Sequence, residues 1–452
     1  MSAFDRLTTQ LHEFQARYPG AGRIVENLGW LFADNMLRLL SVVIINAWVV
    51  RYLGPQQYGT LSFALAFVAL FTPLALLGLP NLVMRDLVEK PQDENATLGT
   101  ALALMLGGAV IGAVLASVAV VVLRPDEMRD QQVVWVAACG LIFQTFTVIE
   151  QWFNAQVRAK YVVYARNAAL LVASAGRVGA VLAGASLLVF AAITVIESGL
   201  FALGLLIAFQ RTRGSLFAWR VRLARAQKLL ADGWPLLLES LAVMIYMRID
   251  QTMLGQMISG EKGAREVGLY AAAVKLSEIW LFVPMAIRTT FFPTIVRSKK
   301  LSPAEYRQRI QRLLNLMVLL SYGVAIPTTI LAPFIIRLFY GPEFSDAAPM
   351  LAILIWAGVW MSLGQVRSAV VQSENLQVLT LRASLLGAAA NVLLNLVLIP
   401  PLGGIGSAIA TTVSYGIQAY LSSFLFPALV WLGKMQTRAL VYPNPFKSDN
   451  DR

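Results

Sequence analysis

The stretch GWPLLLESLAVMIYMRIDQTMLGQM, Gly233 to Met257, decides the fold. At about 1.5 Å of rise per residue it is long enough to cross the roughly 30 Å apolar core of a bilayer as one helix. It nevertheless carries Glu239, Arg248 and Asp250. Charges at that depth are costly, so they face a bundle interior or a water-filled cavity rather than lipid. The first apolar stretch of the chain has the same character, with Asp34 and Arg38. From these two spans the chain reads as two helical halves that present charge to a shared polar cavity.

Composition agrees. Of 452 residues, 58% are hydrophobic and only 14% charged, where soluble proteins carry about 25%. One Cys, Cys139, and one His, His12, exclude a disulfide framework, a Cys or His metal site and a histidine proton relay. There is no Walker loop, and the only D-x-D lies in the polar tail at Asp449 to Asp451. Neither an ATPase nor an external catalytic domain is expected, nor any metal or cofactor.

Outward from Gly233–Met257, apolar runs give twelve spans. The first half holds Leu28–Val50, Leu61–Val83, Leu98–Leu123, Val133–Phe153, Val163–Leu182 and Leu187–Phe209. The second holds Pro235–Met257, Leu269–Ile295, Leu313–Ile335, Met350–Val371, Leu379–Ile399 and Ile405–Leu429. The expected fold is therefore an all-α polytopic membrane protein with two parallel six-helix bundles, residues 27–210 and 233–431, around a central cavity. A basic connector, 211–232, joins them. The leader, 1–26, places Phe4, Leu7, Leu11, Phe14 and Tyr18 on one helical face, suited either to a membrane surface or to the protein's own loops. A polar tail, 432–452, closes the chain.

Loop charge sets the orientation. With the N-terminus inside, inside segments hold 25 Lys and Arg, and outside loops only Arg51, Arg124, Arg129, Lys262 and Arg265. This bias places both termini in the cytoplasm. It also accounts for the net charge of +12 without nucleic acid. Two inside segments read as helical: Arg222–Asp232, ended by Gly233-Trp234-Pro235, and the capping box Ser302-Pro303-Ala304-Glu305 leading into the ninth span.

The halves echo one another. Gly54-Pro-Gln-Gln-Tyr58-Gly59 follows the first span and Gly263-Ala-Arg-Glu-Val267-Gly268 the seventh, each in an expected outside loop before a span containing Pro73 or Pro284. Repeats in one orientation imply a two-fold axis along the membrane normal, with the substrate path between the halves.

Among cations within spans, Arg38, Arg177, Arg248, Lys275 and Arg288 are the candidates for an anionic ligand; Arg337 and Arg367, near span ends, are set aside. Asp34 with Arg38, and Lys275 with Glu278, have the spacing of intrahelical pairs. Arg177 and Arg288 have no acid within one turn, and Arg248 and Asp250 point to different faces. Unpaired guanidiniums at depth suit phosphate oxygens. Asp250, with Asp34 and Glu239, is the candidate for ion coupling; the alternative for Asp250 is a salt bridge with Arg38 or Arg288. Asn391 and Asn395, spaced i, i+4, read as glue between helices.

Four segments carry a resemblance: Arg51–Leu87, YMRIDQTMLGQM with the following VGLYAAAVKLSEIWLFVPMAI, Tyr340–Leu354 and Pro400–Tyr415. They are similar to the bacterial polysaccharide, or O-antigen, flippase family of the multidrug/oligosaccharidyl-lipid/polysaccharide exporter superfamily. The resemblance runs from about Asn27 to Trp431 and implies two six-helix bundles around a cavity. It implies ion-coupled movement of an undecaprenyl-diphosphate-linked oligosaccharide to the periplasmic leaflet, with membrane lipids, a polysaccharide polymerase and chain-length machinery as partners. The related lipid II flippases use cavity arginines in their first and seventh spans, which would correspond to Arg38 and Arg248. They have fourteen spans, so this chain lacks the lipid-binding groove of the extra two. An exporter of drugs or small amphiphiles on the same fold is the alternative, disfavoured by the excess of cavity cations.

Overall fold

The structure, a computed structural model, describes residues 21–213 and 218–444, apart from the side chains of residues 21–43, 213, 300 and 301. The leader face from Phe4 to Tyr18 and the tail from residue 445 lie outside the described residues, as do the side chains of Asp34 and Arg38. Among the described residues every regular element is helical. In order they are α1 Ala21–Ala69, α2 Thr72–Leu76, α3 Leu79–Glu89, α4 Glu94–Leu123, α5 Met128–Gln144, α6 Thr147–Ala155, α7 Ala159–Leu182, α8 Leu187–Arg213 and α9 Leu223–Met257. There follow α10 Gly260–Glu278, α11 Phe282–Leu301, α12 Pro303–Tyr340, α13 Ala347–Leu354, α14 Ala357–Ser373, α15 Val378–Leu402, α16 Gly404–Gly416, α17 Ser422–Leu425 and α18 Val430–Val441.

Among the described residues nine helical segments are long and apolar enough to cross a membrane, and a bent pair at the C-terminal end makes ten. Most of the first expected span precedes Ile44, among residues whose side chains are not described. The fifth is the helix α7, which contains Lys160, Arg166 and Arg177. The two expected spans outside the ten are thus one whose side chains are mostly not described and one rich in charge.

Proline and glycine break the spans where their chemistry requires. α1 contains a break at Gly54, at φ 67° and ψ 173°, and Pro55 opens the helix that follows. A residue with a Cβ is strained at that φ, while Pro is well placed in a first helical turn. The expected outside loop Gly54–Gly59 is therefore a single-residue break, with Pro55 to Gly59 already helical. The span that follows is interrupted at Leu70-Phe71, just before Pro73, and the corresponding span of the second half turns 3-10 at Ile279–Leu281, just before Pro284. Each interruption falls where the proline cannot donate its hydrogen bond and its ring crowds the preceding turn.

Two connectors differ from expectation. Gly233-Trp234-Pro235 does not end the connector helix, because α9 continues from Leu223 to Met257 with Pro235 inside it. Ser302 caps α12 by accepting from Ala304 N at 3.2 Å, but Glu305 pairs with Arg309 instead of closing the expected box. At the C-terminal end, the expected span to Leu429 turns by 101° between Gly404–Leu425 and Pro427–Val441. Leu432, Gly433, Gln436 and Ala439 of α18 are buried.

By contacts the described chain forms two compact units, interleaved in sequence. One comprises the residues up to Ile45, Leu74–Ala113 and Val136–Leu236; the other comprises Asn46–Pro73, Val114–Trp135 and the chain from Leu237 onward. The first has a core built on Leu79, Leu98, Met105, Ile149, Trp152, Phe153 and Phe209. In it the basic connector is held by Arg225 to Asp86 at 3.2 Å and by Asp232 to Arg85 at 3.2 Å. The second has a core built on Ile295, Ile310, Leu314, Val318, Leu363, Val370 and Leu432.

Within the second unit the two glycine motifs meet. A Cβ on Gly59 would lie 1.7 Å from Ala264 O and 2.9 Å from Gly268 N; one on Gly268 would lie 1.9 Å from Pro55 O and 3.1 Å from Gly59 N. The repeats seen in the sequence thus pack on each other reciprocally, and only glycine permits that approach.

Candidate functional site

The second unit holds two adjoining polar features, both reached from α9. Residues 248 and 251 are one helical turn apart, while residue 250 falls on a different face. Arg248 and Gln251 line a cavity of 270 Å³. The helix of α1 beyond Gly54 contributes Tyr58, Ser62, Leu65, Ala66 and Ala69, and α10 contributes Ala271, Val274, Lys275 and Glu278. Both sets have the i, i+3/i+4 spacing of one helix face. Arg248 Nη2 lies 3.9 Å from Glu278 Oε1, with both side chains about one-third exposed. The cavity therefore offers a guanidinium, an ammonium, two hydroxyls and an amide, against one carboxylate.

On the other face Asp250 is 1% exposed. Its Oδ1 accepts from Asn391 Nδ2 at 2.9 Å and Asn395 Nδ2 at 2.5 Å, and its Oδ2 accepts from Thr411 Oγ1 at 2.8 Å. Tyr270 OH shares a 2.7 Å hydrogen bond with Thr411 Oγ1, and Ser407 Oγ donates to Asn395 Oδ1 at 3.0 Å. Asn391 Nδ2 also reaches Ser414 Oγ at 3.2 Å. α9, α10, α15 and α16 thus converge on one carboxylate surrounded by amides and hydroxyls. A buried anion is tolerated only when donors satisfy it, and here three do.

The expected residues divide accordingly. Arg248 and Lys275 line one cavity, whereas Asp250 faces away from it, toward α15 and α16. Arg288 lies on α11, where Nη1 donates to Gln365 Oε1 at 3.2 Å; no carboxylate pairs with it among the described residues. Glu239 is half-buried and makes no hydrogen bond among the described residues. Arg177 is corrected: it is not uncompensated, because Nη2 lies 2.5 Å from Glu197 Oε2 on α8. The acid sits on the neighbouring span, beyond the reach of a one-turn search. Nearby in the same unit, Arg166 pairs with Glu150 at 2.6 Å. Asp250 has neutral partners among the described residues, in place of the expected alternative of a salt bridge with Arg288.

Sequence reasoning assigned no role to Tyr58, Ser62, Gln251, Tyr270, Ser407, Thr411 or Ser414. Hydroxyls are frequent in membrane helices and carry no signal of a site by themselves. The signal available was Asn391 and Asn395, two amides on one face of an apolar span, and their partner proved to be Asp250. Arg367, set aside as a span-end residue, is 2% exposed and its Nη2 donates to Leu379 O at 3.3 Å.

The sequence matches the family model described as "Polysaccharide biosynthesis protein" over residues 24–299 and the MatE model over residues 235–397. Among relatives, the "Probable flippase AglR" of Haloferax volcanii is 28% identical over 204 residues, 44% of this chain and 41% of that protein. The "Probable low-salt glycan biosynthesis flippase Agl15" of the same organism is 23% identical over 337 residues, 67% of this chain and 70% of that protein. The match to AglR thus spans less than half of that relative. Among solved structures, the lipid II flippase MurJ in an inward closed conformation superposes with a TM-score of 0.68 at 12% identity, covering 93% of this chain and 94% of MurJ. An inward-facing multidrug resistance MATE family transporter gives 0.65 at 15% identity, covering 90% of this chain and 95% of that one. At such identities the likeness is one of fold alone, an all-helical multi-pass fold.

Proposed function

Because this chain belongs to the polysaccharide biosynthesis protein family, we propose that it is a flippase for a polyprenyl-diphosphate-linked oligosaccharide. In this reading it is a carrier and not an enzyme, set in a bacterial inner membrane with both termini cytoplasmic. It moves its substrate from the cytoplasmic to the periplasmic leaflet for surface polysaccharide assembly. The observation that carries the reading is the cavity on α9 and α10, where Arg248 and Lys275 stand beside Tyr58, Ser62 and Gln251. Two cations, one of them 3.9 Å from Glu278, can donate to phosphate oxygens; hydroxyls and an amide suit sugar. An unpaired sugar hydroxyl in hydrocarbon costs roughly 4–8 kcal/mol, and a bare phosphate charge far more, so the head group needs a polar lining to cross. Arg288, and from the sequence alone Arg38, are further candidates to contact the diphosphate. The names of AglR and Agl15 point the same way.

Asp250, one face away from Arg248, is the coupling group. A carboxylate held by two amide N–H groups and a hydroxyl can take a proton in exchange for those donors, or an alkali cation if the amides turn their oxygens inward, and α9 links that exchange to the cavity. Asp34 and Glu239 are secondary candidates. Proteoliposomes with a fluorescent polyprenyl-diphosphate saccharide test both parts. Arg248→Gln with Lys275→Gln should abolish flipping while the protein remains folded. Asp250→Asn should keep substrate binding but lose dependence on an imposed proton or sodium gradient. Wild-type flipping by the first variant removes the substrate assignment; an unchanged gradient dependence in the second removes the coupling role.

A further inference from the structure

A second cavity lies apart from the site above, between α11 and α12. It encloses 350 Å³ and is mainly apolar, lined by Phe291, Ile295, Leu313 and Leu316, with Arg309 and Arg312 also on its wall. Arg309 and Leu316 are seven residues apart on α12, about 10 Å along the helix. An interfacial layer is roughly 5–7 Å deep on each side of a bilayer, so a lipid whose phosphate sits at Arg309 reaches Leu316 with its acyl chain. Beyond Leu316 the same face of α12 continues as exposed apolar residues: Leu320 at 38%, Leu331 at 49% and Phe334 at 63%. The groove therefore opens onto a stripe suited to hydrocarbon, with its cations at the polar end only. A soluble anion would gain nothing from such a wall, whereas an acyl chain would.

Charge narrows the occupant. Arg309 is already engaged by Glu305 one turn away, and Arg312 is exposed and makes no ion pair among the described residues. Close to one net positive charge is available, which matches the single charge of a phosphodiester. We propose that this groove binds an anionic glycerophospholipid, its phosphodiester on Arg312 and Arg309 and an acyl chain along Phe291, Ile295 and Leu316. Basic pockets between membrane helices hold acidic head groups by the same combination of charge and apolar contact. The inference does not depend on the flippase reading.

Native mass spectrometry of the full chain released from detergent tests it, with phosphatidylglycerol, phosphatidylcholine and a polyprenyl diphosphate offered separately and in competition. Wild type should retain phosphatidylglycerol over phosphatidylcholine by about fivefold for each engaged guanidinium. Arg312→Gln with Arg309→Gln should bring the two lipids to equal retention. Leu316→Trp, which keeps both charges but fills the groove, should lose phosphatidylglycerol as well. Equal retention of the two lipids by wild type overturns the proposal. So does a preference that survives either variant in protein that stays monodisperse. Displacement of phosphatidylglycerol by the polyprenyl diphosphate would give the groove to that lipid and likewise overturn it.

Discussion

Replacing Gly268 by Ala tests whether the paired glycine motifs set the approach of α1 and α10. The new Cβ would fall 1.9 Å from Pro55 O, where ordinary contact begins at 3.4 Å. The opposing atom is backbone, so no side chain can swing aside, and the helices must separate by about 1.5 Å. A gap of 0.5–1 Å already forfeits roughly a quarter to a half of a dispersion contact, so most contacts around the glycine are lost. Overpacking costs about 1–3 kcal/mol, and a clash against backbone belongs at the upper end, about 2–3 kcal/mol. The gain in helix propensity from Gly to Ala returns about 1 kcal/mol at most. A net loss of about 1–2 kcal/mol is expected for Gly268→Ala, and a similar loss for Gly59→Ala, whose Cβ would meet Ala264 O at 1.7 Å. The two losses should not add, because one separation relieves both clashes. The double variant should fall short of the sum by about 1 kcal/mol or more. Thermal unfolding of the purified protein in detergent, followed by tryptophan fluorescence, measures all four forms. Single variants as stable as wild type, or strictly additive losses, would refute the reciprocal contact.

Three further outcomes are expected. Asn395→Leu removes a donor from Asp250 and the acceptor of Ser407; leaving buried polar groups unmet should lower stability in the same assay by about 1–3 kcal/mol, and wild-type stability would count against the node. Glu197→Gln strips the carboxylate from Arg177, so stability should drop while flipping per folded molecule in proteoliposomes holds; a selective loss of flipping would return Arg177 to the transport path. Arg248→Ala with Arg288→Ala should abolish surface polysaccharide export without loss of protein from the membrane, as read by immunoblot and polysaccharide staining; full export would exclude both from diphosphate contact.

Some of this was decided by the sequence alone. Length of apolar runs is a local property, so the membrane class, most spans and the candidate status of Arg248 and Asp250 could be read from Gly233–Met257 and its neighbours. The repeat of Gly54–Gly59 in Gly263–Gly268 was visible as a spacing pattern. Its consequence was not, because only packing shows that Gly59 and Gly268 lie against each other. Ion pairing was the least legible property. Within a helix, partners are set by spacing, and a search one turn either way left Arg177 alone; its partner Glu197 comes from the next helix, where register depends on how α7 and α8 pack. Asp250 shows the same limit. Its partners Asn391, Asn395 and Thr411 are more than 140 residues away in sequence, and a polar side chain's meaning in an apolar span is fixed by the helix it faces. Tertiary structure alone turned two asparagines that read as glue into the donors that make a buried carboxylate tenable.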